Sequence, residues 1–331
     1  MKLRYLDLHT TDAAWNLAAE QYVFDGLPRD RSYFMLWQNR SAVIIGRFQN
    51  TESEIDAPYV KEHGVQVVRR LSGGGAVYHD LGNLNFSFIA DAASMEKLDL
   101  DLFCRPVIRT LRALGVPAER NGRNDLTVQG RKFSGNSQYR KQGRVLHHGT
   151  ILISSDLEAV SRALSVDAEK LGGKGVASVR SRVANLSEFL PPEIGVDAFR
   201  ALLLREVLTE AEGEEYRFSQ EDLRAIEAIR AERYARWDWN FGLSPAAQIV
   251  KKRRIEGCGG VELYLTAERG RIRALSFRGD FFSALGPEPL AERLIGAELR
   301  EEALAHALED VDPGPYLQGM SREALIRILL Y

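Results

Sequence analysis

RRLSGGGAVYHDLGNLNFSF, residues 69–88, sets two arginines at the end of an apolar strand, then three glycines, then a strand-like run that resumes at once. Glycine triplets let a backbone approach a ligand closely, because no Cβ stands in the way. Successive exposed N–H groups in such a turn form a nest that favours anions, and an adjacent Arg adds a fixed cationic fork. The stretch therefore reads as a lip for an anionic small molecule. No P-loop lysine follows the glycines and no GxGxxG turn opens a helix, so a phosphate site here belongs to neither framework. A flexible surface turn is the alternative, and the glycines alone do not choose.

A second stretch, GRNDLTVQGRKFSGNS (122–137), sharpens the reading. Residues 126–128 and 132–134 flank Gln129-Gly130, a hairpin-like arrangement. Lys132 follows the turn and Asp125 precedes it. A lysine plus a carboxylate able to hold magnesium suits a triphosphate; a solvated lysine beside a hairpin is the bland alternative. Asn83 and Asn85 share one strand face, where they can bond a ligand or cap the loop. His147 and His148 are adjacent on an extended run, so they point to opposite faces and make a poor metal pair. Arg180 and Arg182, two apart, project to one face of an extended segment; phosphates, an acidic partner or plain solvent would suit them.

The 331 residues suggest two domains. Hydrophobic content of 45% and charged content of 27% are those of an ordinary globular protein, and the net charge of −2 points to neither nucleic acid nor a membrane surface. The opening MKLRYLDLHTTD lacks a signal pattern, no run has transmembrane length, and Cys104 and Cys258 lie far apart without metal-ligand spacing. A cytoplasmic, reducing setting is expected, with a monomer as the default.

Periodicity and punctuation predict helices over 12–25, 53–63, 101–114, 157–164, 197–210 and 219–236. Strands are expected over 33–37, 42–45, 65–68, 76–78, 84–89 and 145–153. After Trp237-Asp238-Trp239-Asn240 the character changes. Three strand-like runs (248–255, 261–266, 272–277) and short helices close the chain. The expected fold class is α+β, with mixed or mostly antiparallel sheets and flanking helices. The expected domains are residues 1–245 and 246–331.

IGRFQN (45–50), the two stretches above, VLHHGTILI (145–153) and KGVASVRSRVANL (174–186) occur in one order. Together they resemble lipoate–protein ligase A of the bacterial two-domain type, and residues 246–331 resemble that family's accessory domain more weakly. The resemblance implies the biotin- and lipoate-ligase fold, related to class II aminoacyl-tRNA synthetase cores. It also implies a two-step reaction. Lipoate attacks the α-phosphate of ATP to give lipoyl-adenylate and pyrophosphate. A lysine of a lipoyl domain then takes the acyl group and AMP leaves.

By family position Lys132 is the essential lysine, binding acyl carboxylate and phosphate oxygens. Arg70, Gly75, Ala76, Val77, Tyr78, Asn83, Arg180 and Arg182 face ATP or the adenylate. Gly74, Gly75, His148 and Thr150 join Lys132 around lipoate, and Asp125 is the candidate Mg2+ contact. The implied acceptors are the lipoyl domains of 2-oxoacid dehydrogenase E2 subunits and the glycine cleavage H protein. An octanoyltransferase of the same superfamily needs a cysteine that 171–174 lacks, and the biotin-ligase GRGRxGR-type loop is absent. A non-catalytic binding module that keeps the fold is the alternative of a different class.

Overall fold

The structure is a computed structural model. It describes residues 2–91, 100–122, 124–164, 182–209, 211–242, 249–268 and 270–330. The chain packs as two compact units. One comprises Met1–Ile44, Ile55–Arg69 and Val77–Asn240; the other comprises Ile45–Glu54, Arg70–Ala76 and Phe241–Tyr331.

The strands of the first unit are β1 (Lys2–Asp7), β2 (Ser32–Trp37), β3 (Ala42–Ile45), β4 (Gln66–Arg69), β5 (Val77–His79), β6 (Asn83–Asp91), β7 (Ala118–Asn121), β8 (Asp125–Val128), β9 (Arg131–Lys141), β10 (Arg144–Leu152) and β11 (Glu212–Glu215). Eight of them form a sheet in the order β11-β1-β2-β6-β10-β9-β8-β7, while β4-β3-β5 form a small second sheet. In the large sheet only the β11–β1 and β1–β2 pairs are parallel. Two tight turns set its register: Gln129-Gly130 and Gln142-Gly143 all have positive φ, as two-residue hairpins of type I′ require. Only the first was legible as a hairpin; the second lengthens β9 through residues that gave no strand signal.

Both faces of the sheet are covered. On one, Phe34, Phe86, Phe88, Val145 and Ile151 pack against Phe103, Val107 and Leu111 of the helix Leu100–Ala113 and against Phe199 and Leu203 of the helix Val196–Thr209. On the other, Tyr33, Met35, Trp37, Ile89 and Leu146 pack under the helix Ala13–Asp25. Asp12 caps that helix, accepting from the N–H groups of Ala14 and Trp15. The helix is enclosed on most sides, and its buried residues include Asn16, Glu20 and Gln21.

The helix expected over 53–63 is instead two, Thr51–Glu54 and Ala57–Glu62, because Asp56 caps a fresh start with Pro58 in its first turn. The helix expected over 219–236 is α-helical for Gln220–Ile229 and then widens into a π turn, Arg230–Tyr234.

The second unit contains the meander β12 (Ile249–Ile255), β13 (Gly259–Glu268) and β14 (Arg271–Gly279). Val261, Leu263, Leu265, Phe277 and Phe281 pack with Leu290, Leu304, Leu325 and Leu329 of the C-terminal helices. Phe48 joins this core, stacked on Phe281 with ring centroids 5.0 Å apart. Among the described residues no helix is long and apolar enough to cross a membrane.

Candidate active site

Register decides which side chains meet on the helix-covered face of the large sheet. Directly opposed residues on neighbouring strands share a face. Trp37 opposes Asn85, Asn85 opposes Thr150, and the Thr150 hydroxyl accepts the N–H of Gly135 at 3.1 Å. One step along, Met35 opposes Ser87, Ser87 opposes His148, and His148 opposes Ser137. Four strands thus present two polar cross-strand rows beneath the helix Ala13–Asp25.

Glu20 reaches down from that helix into the second row. Its carboxylate accepts from Ser87 Oγ at 2.6 Å and lies 3.0 and 3.1 Å from Nδ1 of His148. Trp37 Nε1 donates to Ser87 Oγ at 2.9 Å. Glu20 is 2% exposed, so these partners stand in for the water its carboxylate lacks.

In the first row Asn83 donates to Asn85 Oδ1 at 2.9 Å. Asn83 Oδ1 and Asn85 Nδ2 are buried and have no hydrogen-bond partner among the described residues. An unmet buried amide atom costs ~1–3 kcal/mol, so a polar ligand or water is the natural partner for each.

Lys132 arrives from the β8–β9 hairpin. Its Nζ lies 2.7 Å from Asp125 Oδ1, and both side chains are partly exposed. Gly135 makes room for it: a Cβ there would stand 3.0 Å from Lys132 Nζ and 4.0 Å from Thr150 Oγ1. The lysine ammonium, the Asp125 carboxylate and the Thr150 hydroxyl therefore gather around a residue without a side chain.

His147 points the other way, between the rings of Phe86 and Phe103. Its Nε2 lies 3.8 Å from Cys104 Sγ, and its Nδ1 lies 3.1 Å from Gln138 Nε2. Complete burial, with the neighbouring His148 adding to it, pushes its pKa down to about 3. Of the two adjacent histidines, one is packed and one faces the polar rows, as alternation requires.

The glycine turn belongs to the second unit. Arg70 is buried, and its guanidinium is turned onto the turn itself: Nη2 donates to the carbonyls of Gly73 (2.7 Å) and Gly75 (2.9 Å), and Nε to Ser72 Oγ (3.0 Å). Gly74 has φ +91°, a conformation that side chains disfavour. Gly75 and Ala76 are half-buried.

Sequence reasoning thus named Lys132, Asp125, Thr150, His148 and Asn83, which the first unit gathers on one face and hairpin. Val77 and Tyr78 lie in β5, and burial raises the Tyr78 hydroxyl pKa. Arg182 is exposed, while Arg180 lies outside the described residues. Missed were Glu20, Ser87, Trp37 and Gly135. Asn16 and Glu20 are polar at i, i+4 within an otherwise alanine-rich apolar helix, and that spacing was the available signal. Among the described residues no three His, Cys, Asp or Glu side chains are grouped to hold a metal ion.

The fold is that of a protein-modifying acyl ligase. A solved lipoate-protein ligase A bound with ATP has a TM-score of 0.64 and 29% identity, over 74% of this chain and all of that one. The bipartite lipoate protein ligase of Thermoplasma acidophilum, described with its E2 lipoyl domain, has a TM-score of 0.66 and 30% identity, over 75% of this chain and all of that one. The model of the lipoyl protein ligase A/B catalytic domain matches residues 12–208, and that of the bacterial lipoate protein ligase C-terminus matches 244–329.

Among curated relatives, lipoate-protein ligase LplJ of Bacillus subtilis is 40% identical, over 96% of this chain and 97% of its own length. Lipoate–protein ligase 1 of Staphylococcus aureus is 39% identical with the same coverage. The chain belongs to the lipoate–protein ligase family.

Proposed function

We propose that the protein is an ATP-dependent lipoate–protein ligase, acting in the cytoplasm to activate free lipoate and attach it to a lysine of lipoyl domains. The observation that carries this reading is the half-exposed Lys132 ammonium beside Gly135 and Thr150, at the edge of a buried polar face with unmet amide groups. A carboxylate and a triphosphate repel each other, so their reaction needs a fixed cation between them.

In the proposed first step the lipoate carboxylate attacks the α-phosphate, and pyrophosphate leaves. Lys132 holds carboxylate and phosphate oxygens and offsets the charge that builds on them. In the second step the acceptor lysine attacks the acyl carbon and AMP leaves as an anion. The same ammonium offsets charge on the acyl oxygen and the departing phosphate. Lys132 acts by charge and forms no covalent bond.

Lipoate is proposed to lie along the two cross-strand rows, with His148, Thr150 and Lys132 as contacts; Gly74 and Gly75 are assigned to lipoate by family position. Arg70, Gly75 to Tyr78, Asn83, Arg180 and Arg182 are assigned to ATP and the adenylate. Support comes from the relatives: one solved ligase is described with ATP, another with its E2 lipoyl domain. Glycine cleavage H protein is a further proposed acceptor.

Magnesium is proposed as a companion of ATP. It takes one or two carboxylates, with phosphate and water completing its shell. Asp125 supplies one accessible carboxylate, a donor set that fits an ion arriving on the triphosphate. Asp125 would hold it, and the ion would neutralise phosphate charge.

The octanoyltransferase alternative lacks a thiol: the chain's two cysteines, Cys104 and Cys258, are both buried, at 1% and 0% exposure. The test is mass spectrometry of a purified lipoyl domain incubated with the protein, lipoate and ATP. A lipoyl adduct on its acceptor lysine that requires ATP supports the reading; an unmodified domain rejects it.

A further inference from the structure

The glycine turn is held from outside itself. Within the second unit, Gly74 donates its N–H to the carbonyl of Phe281 at 3.3 Å. A Cβ at Gly73 would stand 2.5 Å from that same carbonyl oxygen and 3.3 Å from Cα of Phe282. A Cβ at Gly74 would meet the Phe282 ring at 3.1 Å. From a second direction Gly46 presses in: a Cβ there would stand 1.9 Å from the carbonyl oxygen of Gly74. These glycines therefore permit backbone-on-backbone packing, a need separate from any ligand's approach.

The other end of each contact is buried. Phe281 is fully buried in the C-terminal core and stacks on Phe48, two residues after Gly46. Gly279 donates its N–H to the carbonyl of Phe48 at 3.0 Å. Phe282 is itself buried, and its carbonyl accepts the N–H of Gln318 at 2.8 Å. Arg70 then ties the turn's two carbonyls together from inside. A three-glycine turn left to itself would pay a large ordering entropy when a ligand arrives. Packed in advance, it loses less on binding.

We propose that Phe281 and Phe282 are positioning residues for nucleotide binding: they hold Gly73 and Gly74 in a binding-ready shape without touching the nucleotide. This rests on the ligase reading above. The role weighs more on the nucleotide than on lipoate: Gly74 and Gly75 are assigned to lipoate as well, but the rows on β2, β6, β9 and β10 have no part in these contacts.

The experiment compares Phe282→Ala, Phe282→Leu and Gly73→Ala with wild type. Gly73→Ala drives the turn off the Phe281 carbonyl while leaving the C-terminal core its full set of side chains, so it stands if Phe282→Ala folds poorly. Three quantities are read: KM for ATP in lipoate-dependent ATP–pyrophosphate exchange, Kd for lipoate without nucleotide, and amide hydrogen exchange across residues 70–76.

Phe282→Ala and Gly73→Ala should raise KM for ATP ~10-fold or more and speed exchange in 70–76, with a smaller rise in Kd for lipoate. Phe282→Leu should recover part of the loss. Unchanged KM for ATP, or an equal fall in both ligands' affinities, overturns the proposal. A wild-type protein with no exchange activity overturns the functional reading instead; hydrogen exchange in 70–76 then still decides whether Phe282 holds the turn, and unchanged protection overturns that.

Discussion

Lys132 Nζ and Asp125 Oδ1 lie 2.7 Å apart across the β8–β9 hairpin. The pair is about two-fifths exposed, so it adds little to stability, ~0.2–1 kcal/mol by comparison with other such pairs. Its value is geometric: Asp125 parks the ammonium beside Gly135 and Thr150. Lys132→Ala should therefore leave the urea midpoint nearly unchanged while cutting adenylate formation ~100-fold or more. Asp125→Asn should keep the fold, lower the rate less, and raise the magnesium concentration needed for half-maximal rate. A Lys132→Ala enzyme with near-normal turnover would remove Lys132 from its role.

Glu20 accepts from Ser87 Oγ and lies 3.0 Å from His148 Nδ1, and it is almost wholly buried. Glu20→Ala removes this acceptor from both groups. Stability to urea should fall by ~2–4 kcal/mol. Glu20→Gln keeps an oxygen in place and should cost less than half of that. Equal midpoints for Glu20→Ala and wild type would show that the network is not structural.

His147 predicts an acid-side weakness. Its folded pKa is lowered to about 3, against an ordinary value of 6.5. Between those two values the unfolded chain binds a proton that the folded chain refuses. Stability contributed by the neutral ring is complete above about pH 6.5 and is lost as pH falls from there toward 3, at up to ~1.4 kcal/mol per pH unit. His147→Phe, which suits the Phe86 and Phe103 surroundings, should flatten that part of the urea-midpoint profile. Parallel profiles for variant and wild type would contradict the assignment.

Cys104 and Cys258 are both buried, and Cys104 packs near an imidazole on the face away from the polar rows. The double variant Cys104→Ala, Cys258→Ala should keep ligase turnover within ~3-fold and lose ~1–3 kcal/mol of stability through the two small cavities. Loss of turnover in a folded double variant would revive a thiol mechanism.

Which parts of this were legible depends on how local their causes are. The strand expected over 145–153 is observed as Arg144–Leu152, and the helix expected over 101–114 as Leu100–Ala113. Each has an apolar period and a glycine or proline close by. The three strands expected after 248 are likewise observed, bounded by their glycine turns. By contrast β1 and the far half of β9 carry no strand expectation: β1 is held by β2 and by β11, which is distant in the chain, and the polar far half of β9 is a strand through its hairpin with β10 across Gln142-Gly143.

The site divides the same way. Lys132, Asp125 and the glycines stand in compact motifs, whereas Glu20 meets His148 only across a gap of 128 residues, through sheet order that no local pattern encodes. Arg70 carried a cationic signal, yet its guanidinium braces the turn's own carbonyls, a use that depends on the turn's shape and not on spacing.

The central claim is lipoate activation by ATP on the Lys132 face, and exchange of labelled pyrophosphate into ATP by the purified protein tests it most directly. With lipoate, octanoate and biotin run side by side, exchange should depend on lipoate, be absent with biotin, and vanish in Lys132→Ala. Tight binding of lipoate and ATP with no exchange under any of the three acids would contradict the account and leave a binding module in its place.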